Sequence, residues 1–177
     1  MVRSICCAAV LLLMVQQKLA AQNAEPTASQ VKAVFLYNFS KFVDWPPSAF
    51  TSANAPFVIG VLGKDPFGNY MDELVSGEKI GDHPIVFRRF SDARSVANCH
   101  ILYISTPFTD ELKEALTAVS HKSTLTVGDA SNFTKSGGMI RFFNHDNKIR
   151  LQINVKSARS AQLQISSKLL SVATIAN

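Results

Sequence analysis

Residues Phe57–Gly68 have the sequence FVIGVLGKDPFG, and the fold class can be read from them. Its first half, residues 57–62, is a continuous apolar run bounded by turn residues, which predicts a strand covered on both faces. The turn that follows contains Asp65 directly before Pro66. Because aspartate caps helices and proline favours the first helical position, we expect a helix over residues 66–76. The stretch therefore predicts a strand, a turn and a helix in succession.

Strands and helices continue to alternate along the chain. Apolar runs predict strands, an amphipathic run predicts a helix, and a turn cluster joins the last two strands as an antiparallel hairpin. The predicted strands are Ile85–Phe90, His100–Ile104, Thr124–Val127, Met139–Phe143 and Ile149–Val155, and the predicted helices are Asp110–Val119 and Lys156–Ala173. We expect an α/β fold: a mostly parallel sheet with helices on both faces (Rossmann-like) and an antiparallel hairpin at the C-terminal edge.

The first element is an unusually apolar helix. Thr27 and Gln30 have the spacing of a capping box. Pro46 disfavours helical geometry at Trp45. We therefore expect the helix to run over Ser29–Val43. Apolar residues lie on nearly every side of it, and such a helix is either deeply buried or covered by a partner.

The N-terminal residues have the pattern of a secretory signal. Arg3 supplies a positive start, and Ile5–Val15 is an apolar run too short to span a bilayer as a helix. Small residues follow up to Ala21. We expect a signal peptide over residues 1–21, a periplasmic location, and a single domain over residues 22–177. An uncleaved membrane anchor is the alternative.

The net charge of the chain is modest. The sequence has 18 Lys+Arg and 13 Asp+Glu, a formal net charge of +5, and loss of Arg3 and Lys18 with the signal peptide lowers it further. The basic residues form no run longer than a pair such as Arg88-Arg89. Nucleic-acid-binding proteins cluster their basic residues, so we expect no nucleic-acid partner.

Only one cysteine remains after export. Cys6 and Cys7 lie within the predicted signal peptide, which leaves Cys99 unpaired and predicts no disulfide. The apolar strand around Cys99 favours a buried thiol, and an exposed thiol is the alternative.

Motifs for catalysis or cofactor binding are absent from the sequence. Gly63 and Gly68 have the outer spacing of a phosphate-binding Walker A loop, but Asn69-Tyr70 stands where Lys-Ser/Thr is required. The 4 histidines have no metal-ligand spacing, and no GxSxG nucleophile elbow is present. We therefore expect neither enzymatic activity, nor a cofactor, nor a metal site.

Several segments together resemble the YfiR family of small exported bacterial proteins. The most specific is VKAVFLYNFSKFVDWP at residues 31–46. The others are VLGKDPFG at 61–68, CHILYIS at 99–105, LTVGD at 125–129, GGMI at 137–140, IN at 153–154 and ISSKLL at 165–170. The resemblance covers residues 31–173 in the same order, essentially the whole exported chain.

The resemblance implies a periplasmic protein that binds the periplasmic region of a membrane-bound diguanylate cyclase and holds the synthesis of cyclic di-GMP down. It also implies an outer-membrane lipoprotein that sequesters the regulator, and a homodimer. Many relatives carry a cysteine in the first strand that pairs with the cysteine of the CHILYIS segment. Here that position is Gly60, so Cys99 lacks this partner.

Our first hypothesis is a repressor that acts by contact through its first aromatic segment. Aromatic side chains commonly anchor interfaces. The candidate partner-binding residues are Tyr37, Asn38, Trp45, Phe35 and Phe39. Core packing is the competing interpretation of Phe35 and Phe39, and a lid over the core is the competing role of Trp45.

The alternative function is small-molecule sensing in the periplasm without a cyclase partner. Open α/β sheets hold ligands at the carboxyl ends of their strands. We expect Gly63, Lys64, Asp65 and Ser105 to lie there as ligand-binding residues. A solvated surface charge is the competing interpretation of Lys64.

Overall fold

The computed structural model describes residues 25–106 and 109–176, so the predicted signal peptide, residues 1–21, lies outside the described residues. The helices are α1 Ala28–Phe42, α2 Asn69–Val75, α3 Thr109–Ala118, α4 Val155–Ser160 and α5 Ser167–Leu170. The strands are β1 Val43–Asp44, β2 Phe57–Gly63, β3 Lys79–Ile80, β4 His83–Phe90, β5 Ile101–Ser105, β6 Leu125–Gly128, β7 Ile140–His145, β8 Lys148–Ile153, β9 Gln164–Ile165 and β10 Thr174–Ile175.

The centre of the fold is an 8-stranded sheet in the order β10-β8-β7-β6-β5-β2-β4-β3. Strands β4, β2, β5, β6 and β7 form a block in which every adjacent pair is parallel. The β7–β8 hairpin is antiparallel, and β3 pairs antiparallel with β4 at the opposite edge. The predicted α/β fold with a mostly parallel sheet and an antiparallel C-terminal hairpin is confirmed.

Helices pack on both faces of the sheet. On one face, Leu36 of α1 and Met71 of α2 belong to the same buried cluster as the β2 side chain Ile59. On the other face, Leu112 of α3 packs in a second cluster with Leu102 of β5. Alternate residues of the central strands thus point into two separate cores, which explains why these strands are continuously apolar in sequence.

Helix α1 begins as the sequence predicts. The Thr27 hydroxyl accepts a hydrogen bond from the Gln30 backbone N–H, and the Gln30 side chain accepts one from the Thr27 backbone N–H. The helix ends at Phe42, and the chain continues directly into β1. There Val43 pairs with Ile165 of β9 in a small antiparallel sheet.

The predicted long helix over residues 156–173 is wrong. Helix α4 ends at Ser160, and Gln162 adopts a left-handed conformation with φ 60°. This turn directs Leu163 into the main core, where its side chain is buried. The chain then forms β9, α5 and the edge strand β10. Burial of Leu163 and pairing of β9 with β1 override the helical periodicity of the segment.

Helix α2 begins three residues later than the predicted start at Pro66. Asp65 is not the cap of this helix, whose N-cap residue is Gly68. The Asp65 Oδ1 instead accepts hydrogen bonds from the Phe67 and Gly68 backbone N–H groups in the turn before the helix. The helix itself starts at Asn69. The carboxylate therefore stabilises the turn rather than the first helical residues.

Candidate functional site

The outward side of α1 carries an apolar stripe that the other described elements cover only in part. Val34 is 37% exposed and Phe42 is 36% exposed, both large values for apolar side chains. Together with half-buried neighbours at helical spacing they form one face of the helix. We call this face the outward stripe: Val31, Val34, Phe35, Asn38 and Phe42.

A shallow apolar groove runs beside the outward stripe. It has a volume of ≈ 310 Å³ and lies between α1 and the start of α2. Tyr70 supplies its wall on the α2 side, and Pro26 and Gln30 close it near the helix start. Stripe and groove together form a continuous, mostly apolar surface.

The predicted partner-binding residues Phe35, Asn38 and Phe39 divide between this surface and the core. Asn38 lines the groove. Phe35 also lines it, while the inner part of its ring lies 5.8 Å from the Phe142 ring. Phe39 is completely buried, with its ring stacked 6.1 Å from that of Phe142. A side chain without exposed surface cannot contact a partner, so Phe39 is removed from the candidate set and assigned to the core.

Tyr37 lies outside the groove, on the side of α1 that faces β3. Its hydroxyl donates a hydrogen bond to Glu78, and the Lys41 ammonium lies 4.2 Å from the centre of its ring. These two contacts hold the phenol in one orientation. Tyr37 is half-buried and remains next to the stripe, not within it.

Trp45 packs at the amino ends of the central strands. Its ring meets that of Phe57 edge-on at a centroid distance of 4.8 Å and lies 6.4 Å from that of His100. Phe50 contacts both Phe57 and His100. We call these four residues the aromatic cluster. Trp45 covers the end of the core there, and its Nε1 is buried without a hydrogen-bond partner among the described residues.

The carboxyl ends of the parallel strands form a second candidate site. Lys64 and Ser105 line a cavity of ≈ 370 Å³ together with Tyr103 and Asp129. The Tyr103 hydroxyl donates a hydrogen bond of 2.7 Å to Asp129 Oδ2, and the Lys32 ammonium donates to the same oxygen at 2.6 Å. Burial raises the pKa of Tyr103, and the Asp129 carboxylate raises it further. The phenol is therefore a fixed hydrogen-bond donor.

The other two predicted ligand-binding residues do not line this cavity. Asp65 Oδ2 accepts a hydrogen bond from Arg89 Nε at 2.7 Å, so its carboxylate is engaged in an internal ion pair. Gly63 has φ +90°, and a Cβ there would lie 2.6 Å from the Ser105 carbonyl oxygen. Glycine at this position lets β2 approach β5 closely. The structure thus brings Lys64 and Ser105 together and leaves Gly63 and Asp65 beside the cavity.

No helix within residues 25–106 and 109–176 is long and apolar enough to cross a membrane. The same residues contain no group of three His, Cys, Asp or Glu side chains that could hold a metal ion.

A family model described as YfiR/HmsC-like matches residues 29–174. The chain belongs to the YfiR/HmsC-like family. This family is periplasmic and regulatory rather than catalytic. No curated protein matches the chain at a significant level. The match covers all the elements that carry the outward stripe, the aromatic cluster and the strand-end cavity.

Cys99 lies beside Gly60 of the neighbouring strand β2. The thiol is free and buried, as the sequence predicts, and burial raises its pKa to about 12. A Cβ at Gly60 would lie 2.8 Å from the Cys99 Sγ, and the neighbouring Phe90 ring fills the rest of the space. Position 60 is therefore directly adjacent to Cys99, and as a glycine it offers no side chain for a bond.

The sequence analysis does not single out five residues of these sites: Val31, Val34, Phe42, Tyr103 and Asp129. The first three belong to the predicted helix, but its apolar pattern does not distinguish the inner from the outer face. Tyr103 and Asp129 lie in the segments CHILYIS and LTVGD. Their position after or within parallel strands was the available signal, because such strands place their carboxyl ends at one edge of the sheet.

Proposed function

We propose that the protein represses a membrane-bound diguanylate cyclase by contact, with the outward stripe of α1 bound to the periplasmic region of the cyclase. The observation that carries this proposal is the exposed apolar stripe on a member of the YfiR/HmsC-like family. Val34 and Phe42 are exposed although the same helix already buries its inner face in the core. Contiguous apolar surface of this kind is typical of interaction sites.

The stripe is also suited to reversible regulation. Contact through α1 leaves the sheet and the strand-end cavity unchanged, so the regulator can be released intact. An outer-membrane lipoprotein that binds the same stripe would compete with the cyclase and relieve the repression. A homodimer formed through another face would present two stripes.

The decisive experiment measures cyclic di-GMP in a strain that lacks the gene. Deletion is expected to raise cyclic di-GMP, and the normal gene is expected to restore it. The gene for the double variant Val34→Glu with Phe42→Glu is expected not to restore the normal level of cyclic di-GMP, because a charge buried in an apolar contact has no compensating partner. Thr117→Glu adds the same side chain at an exposed helical position of α3, and it should restore repression fully.

Two results would contradict the proposal. Unchanged cyclic di-GMP in the deletion strain would exclude a repressor. If the double variant changed a dimer into a monomer in size-exclusion chromatography and still bound the isolated periplasmic region of the cyclase, the stripe would be a self-association surface.

Export is the second part of the proposal. We expect cleavage after Ala21, so that the protein in the periplasm begins at Gln22. Intact mass spectrometry of the periplasmic fraction tests this, and a chain that retains Met1 or Val2 would show that the signal is not removed.

Small-molecule sensing is the second candidate function, and the strand-end cavity favours it. Lys64, Ser105, Tyr103 and Asp129 present donors and an acceptor to one volume of ≈ 370 Å³, a size that fits a small metabolite. A thermal-shift screen tests this function, since a ligand at a hundred times its dissociation constant adds about 2.7 kcal/mol of stability. Lys64→Ala should abolish any shift that a true ligand of this cavity produces.

A further inference from the structure

Charge is distributed unevenly along the chain. From residue 130 to the C-terminus the only acidic residue is Asp146, whereas the same segment contains the cations Lys135, Arg141, Lys148, Arg150, Lys156, Arg159 and Lys168. In residues 22–129 the acidic residues outnumber the basic ones. Charge asymmetry between two parts of one chain indicates interaction with an anionic surface, even where the net charge is small.

The β7–β8 hairpin gathers part of this charge on one face. Phe142 and Leu151 face each other across the hairpin and are buried in the main core. Because side chains alternate along a strand, the next pair, Phe143 and Arg150, lies on the opposite face. We call this opposite face the basic face: Arg141, Phe143, His145, Lys148, Arg150 and Gln152.

A loop adds one more cation beside this face. The Thr134 hydroxyl donates a hydrogen bond of 3.0 Å to the Gln152 side chain, which fixes the loop against the hairpin. Lys135 follows directly and is exposed. The basic face thus contains cations from β7 and β8, and the preceding loop adds a further cation at its border.

The cations of the basic face have no acidic partners. At the opposite edge of the sheet, Arg89 is bonded to both Asp65 and Asp72. In contrast, Arg141 and Arg150 form no ion pair among the described residues. Lys148 forms none there either, and the acidic residue of the turn, Asp146, lies 3.4 Å from the His145 ring.

Phe143 lies outside both cores, and Arg141 has a buried nitrogen without a hydrogen-bond partner among the described residues. The Phe143 ring belongs to neither core cluster, and the Arg141 guanidinium lies 5.5 Å from its centre. The Arg141 Nε is buried without a hydrogen-bond partner among the described residues. The Asp129 carboxylate and Arg141 line a second cavity of ≈ 370 Å³, which is distinct from the cavity lined by Lys64 and Ser105. Asp129 forms its ion pair with Lys32 and not with Arg141. The face therefore presents an aromatic side chain among unneutralised cations.

We propose that the basic face docks on the anionic headgroups of a phospholipid membrane. The uneven charge along the whole chain favours a membrane over an acidic peptide. The electric field of an extended charged plane attracts all the cations of a molecule, whereas a short peptide interacts mainly with the residues it contacts. Phe143 and the aliphatic parts of Arg141 and Arg150 suit the headgroup region, where amphipathic side chains concentrate. This site is separate from the outward stripe of α1 and does not depend on the cyclase.

Vesicle co-sedimentation tests the proposal directly. The exported protein is mixed with vesicles of phosphatidylglycerol and phosphatidylcholine in equal parts, or of phosphatidylcholine alone. Binding is expected only to the anionic vesicles at about 0.01 M salt and loss of binding is expected at about 1 M, where the screening length falls from about 30 Å to about 3 Å.

Variants locate the surface. Arg141→Gln with Arg150→Gln should lower the partition coefficient by about 25-fold, since each cation near an anionic membrane contributes about fivefold. The matched control, Lys79→Gln with Lys113→Gln, removes the same charge from exposed positions elsewhere and should leave binding within about twofold. Circular dichroism of both variants verifies that each remains folded.

Three outcomes would overturn the proposal. The first is the absence of binding to anionic vesicles at low salt. The second is an equal loss of binding in the control variant, which would show that only net charge matters. The third is binding of an acidic peptide such as polyglutamate, lost in the Arg141/Arg150 variant, without binding to vesicles. This last result would assign the basic face to a protein partner.

Discussion

Two aromatic regions lie close together in sequence and differ completely in their surroundings. Val34 and Phe42 of the outward stripe keep 37% and 36% of their surface exposed, whereas Trp45 packs against Phe57 and His100 in the aromatic cluster. The stripe and Trp45 both come from the segment 31–46, whereas the other members of the aromatic cluster come from later in the chain. Neighbours that arrive from β2 and from the chain before β5 decide which aromatic side chains serve the fold. The others remain available for contact.

Trp45→Ala is expected to lower stability more than any other variant discussed, because it removes the largest side chain of the aromatic cluster. Truncating a large aromatic side chain against a core typically costs about 3–5 kcal/mol, and partial exposure places Trp45 at the lower end of that range. Thermal denaturation should show a lowered Tm. Phe42→Ala, at the open stripe, is the control and should change Tm little. An unchanged Tm in Trp45→Ala would place Trp45 with the stripe.

Gly60→Cys tests the packing on the other face of the sheet, where Cys99 belongs to the second core cluster. A sulfur on the new Cβ would lie next to the Cys99 Sγ, so oxidation should form a disulfide and remove both free thiols. Bridges of this kind stabilise by about 2–4 kcal/mol, reduced here by the displacement of Phe90. Gly60→Ser is the control, since it adds the same bulk without the bond and should lower Tm. Two reactive thiols in the native oxidised variant would contradict the geometry.

The pH dependence of stability tests whether water is excluded from the His100 ring in the aromatic cluster. Burial lowers the pKa of His100 to about 4, and its Nδ1 accepts a hydrogen bond from the Val58 backbone N–H. The unfolded chain binds a proton at about pH 6.5 and the folded chain does not. The contribution of His100 to stability should therefore fall as the pH drops from about 6.5 to about 4, by at most about 1.4 kcal/mol per pH unit, and stay constant below that.

Chemical denaturation at several pH values measures this slope. His100→Asn retains a hydrogen-bond acceptor for the Val58 backbone N–H. It should show a smaller change of the free energy of unfolding with pH, because the titrating imidazole is gone. His121→Asn, at an exposed position, is the matched control and should keep it. An identical slope in all three proteins would mean that the cluster is open to water.

Val34→Glu is expected to have the smallest effect on the fold. Its side chain is already partly in solvent, so the free energy of unfolding should change by less than about 0.5 kcal/mol, as for Thr117→Glu. Affinity for the periplasmic region of the cyclase, measured by calorimetry, should nevertheless decrease. A large loss of stability would show that the stripe belongs to the core, which would remove the contrast between the two regions.

The sequence predicted those parts of the fold that depend on local chemistry. Helix α1 begins where the Thr27 capping box indicates, and the central strands lie where continuous apolar runs indicate. The segment after Ser160 could not be predicted in the same way. Its structure depends on burial of Leu163 and on pairing of Ile165 with Val43, and both are contacts with distant parts of the chain.

The candidate sites show the same limit. Lys64 and Ser105 follow from the rule that strand ends converge, because that rule is topological. Asp65 could not be separated from Asp129 by sequence, since each follows a buried strand. Only the positions of Arg89 and Lys32 determine which carboxylate stabilises a turn and which lines the cavity.

The pairing of β1 with β9 has a consequence for how the protein is made. The C-terminal end of α1 is fixed by Val43 against Ile165 and by the hydrogen bond from the Ser166 backbone N–H to the Phe42 carbonyl oxygen. Closing so long a loop is entropically unfavourable until the intervening elements are in place. A chain that emerges N-terminus first therefore carries its first helix with an unanchored C-terminal end until β9 has followed. The last turn of α1 thus depends on a segment more than a hundred residues further along the chain.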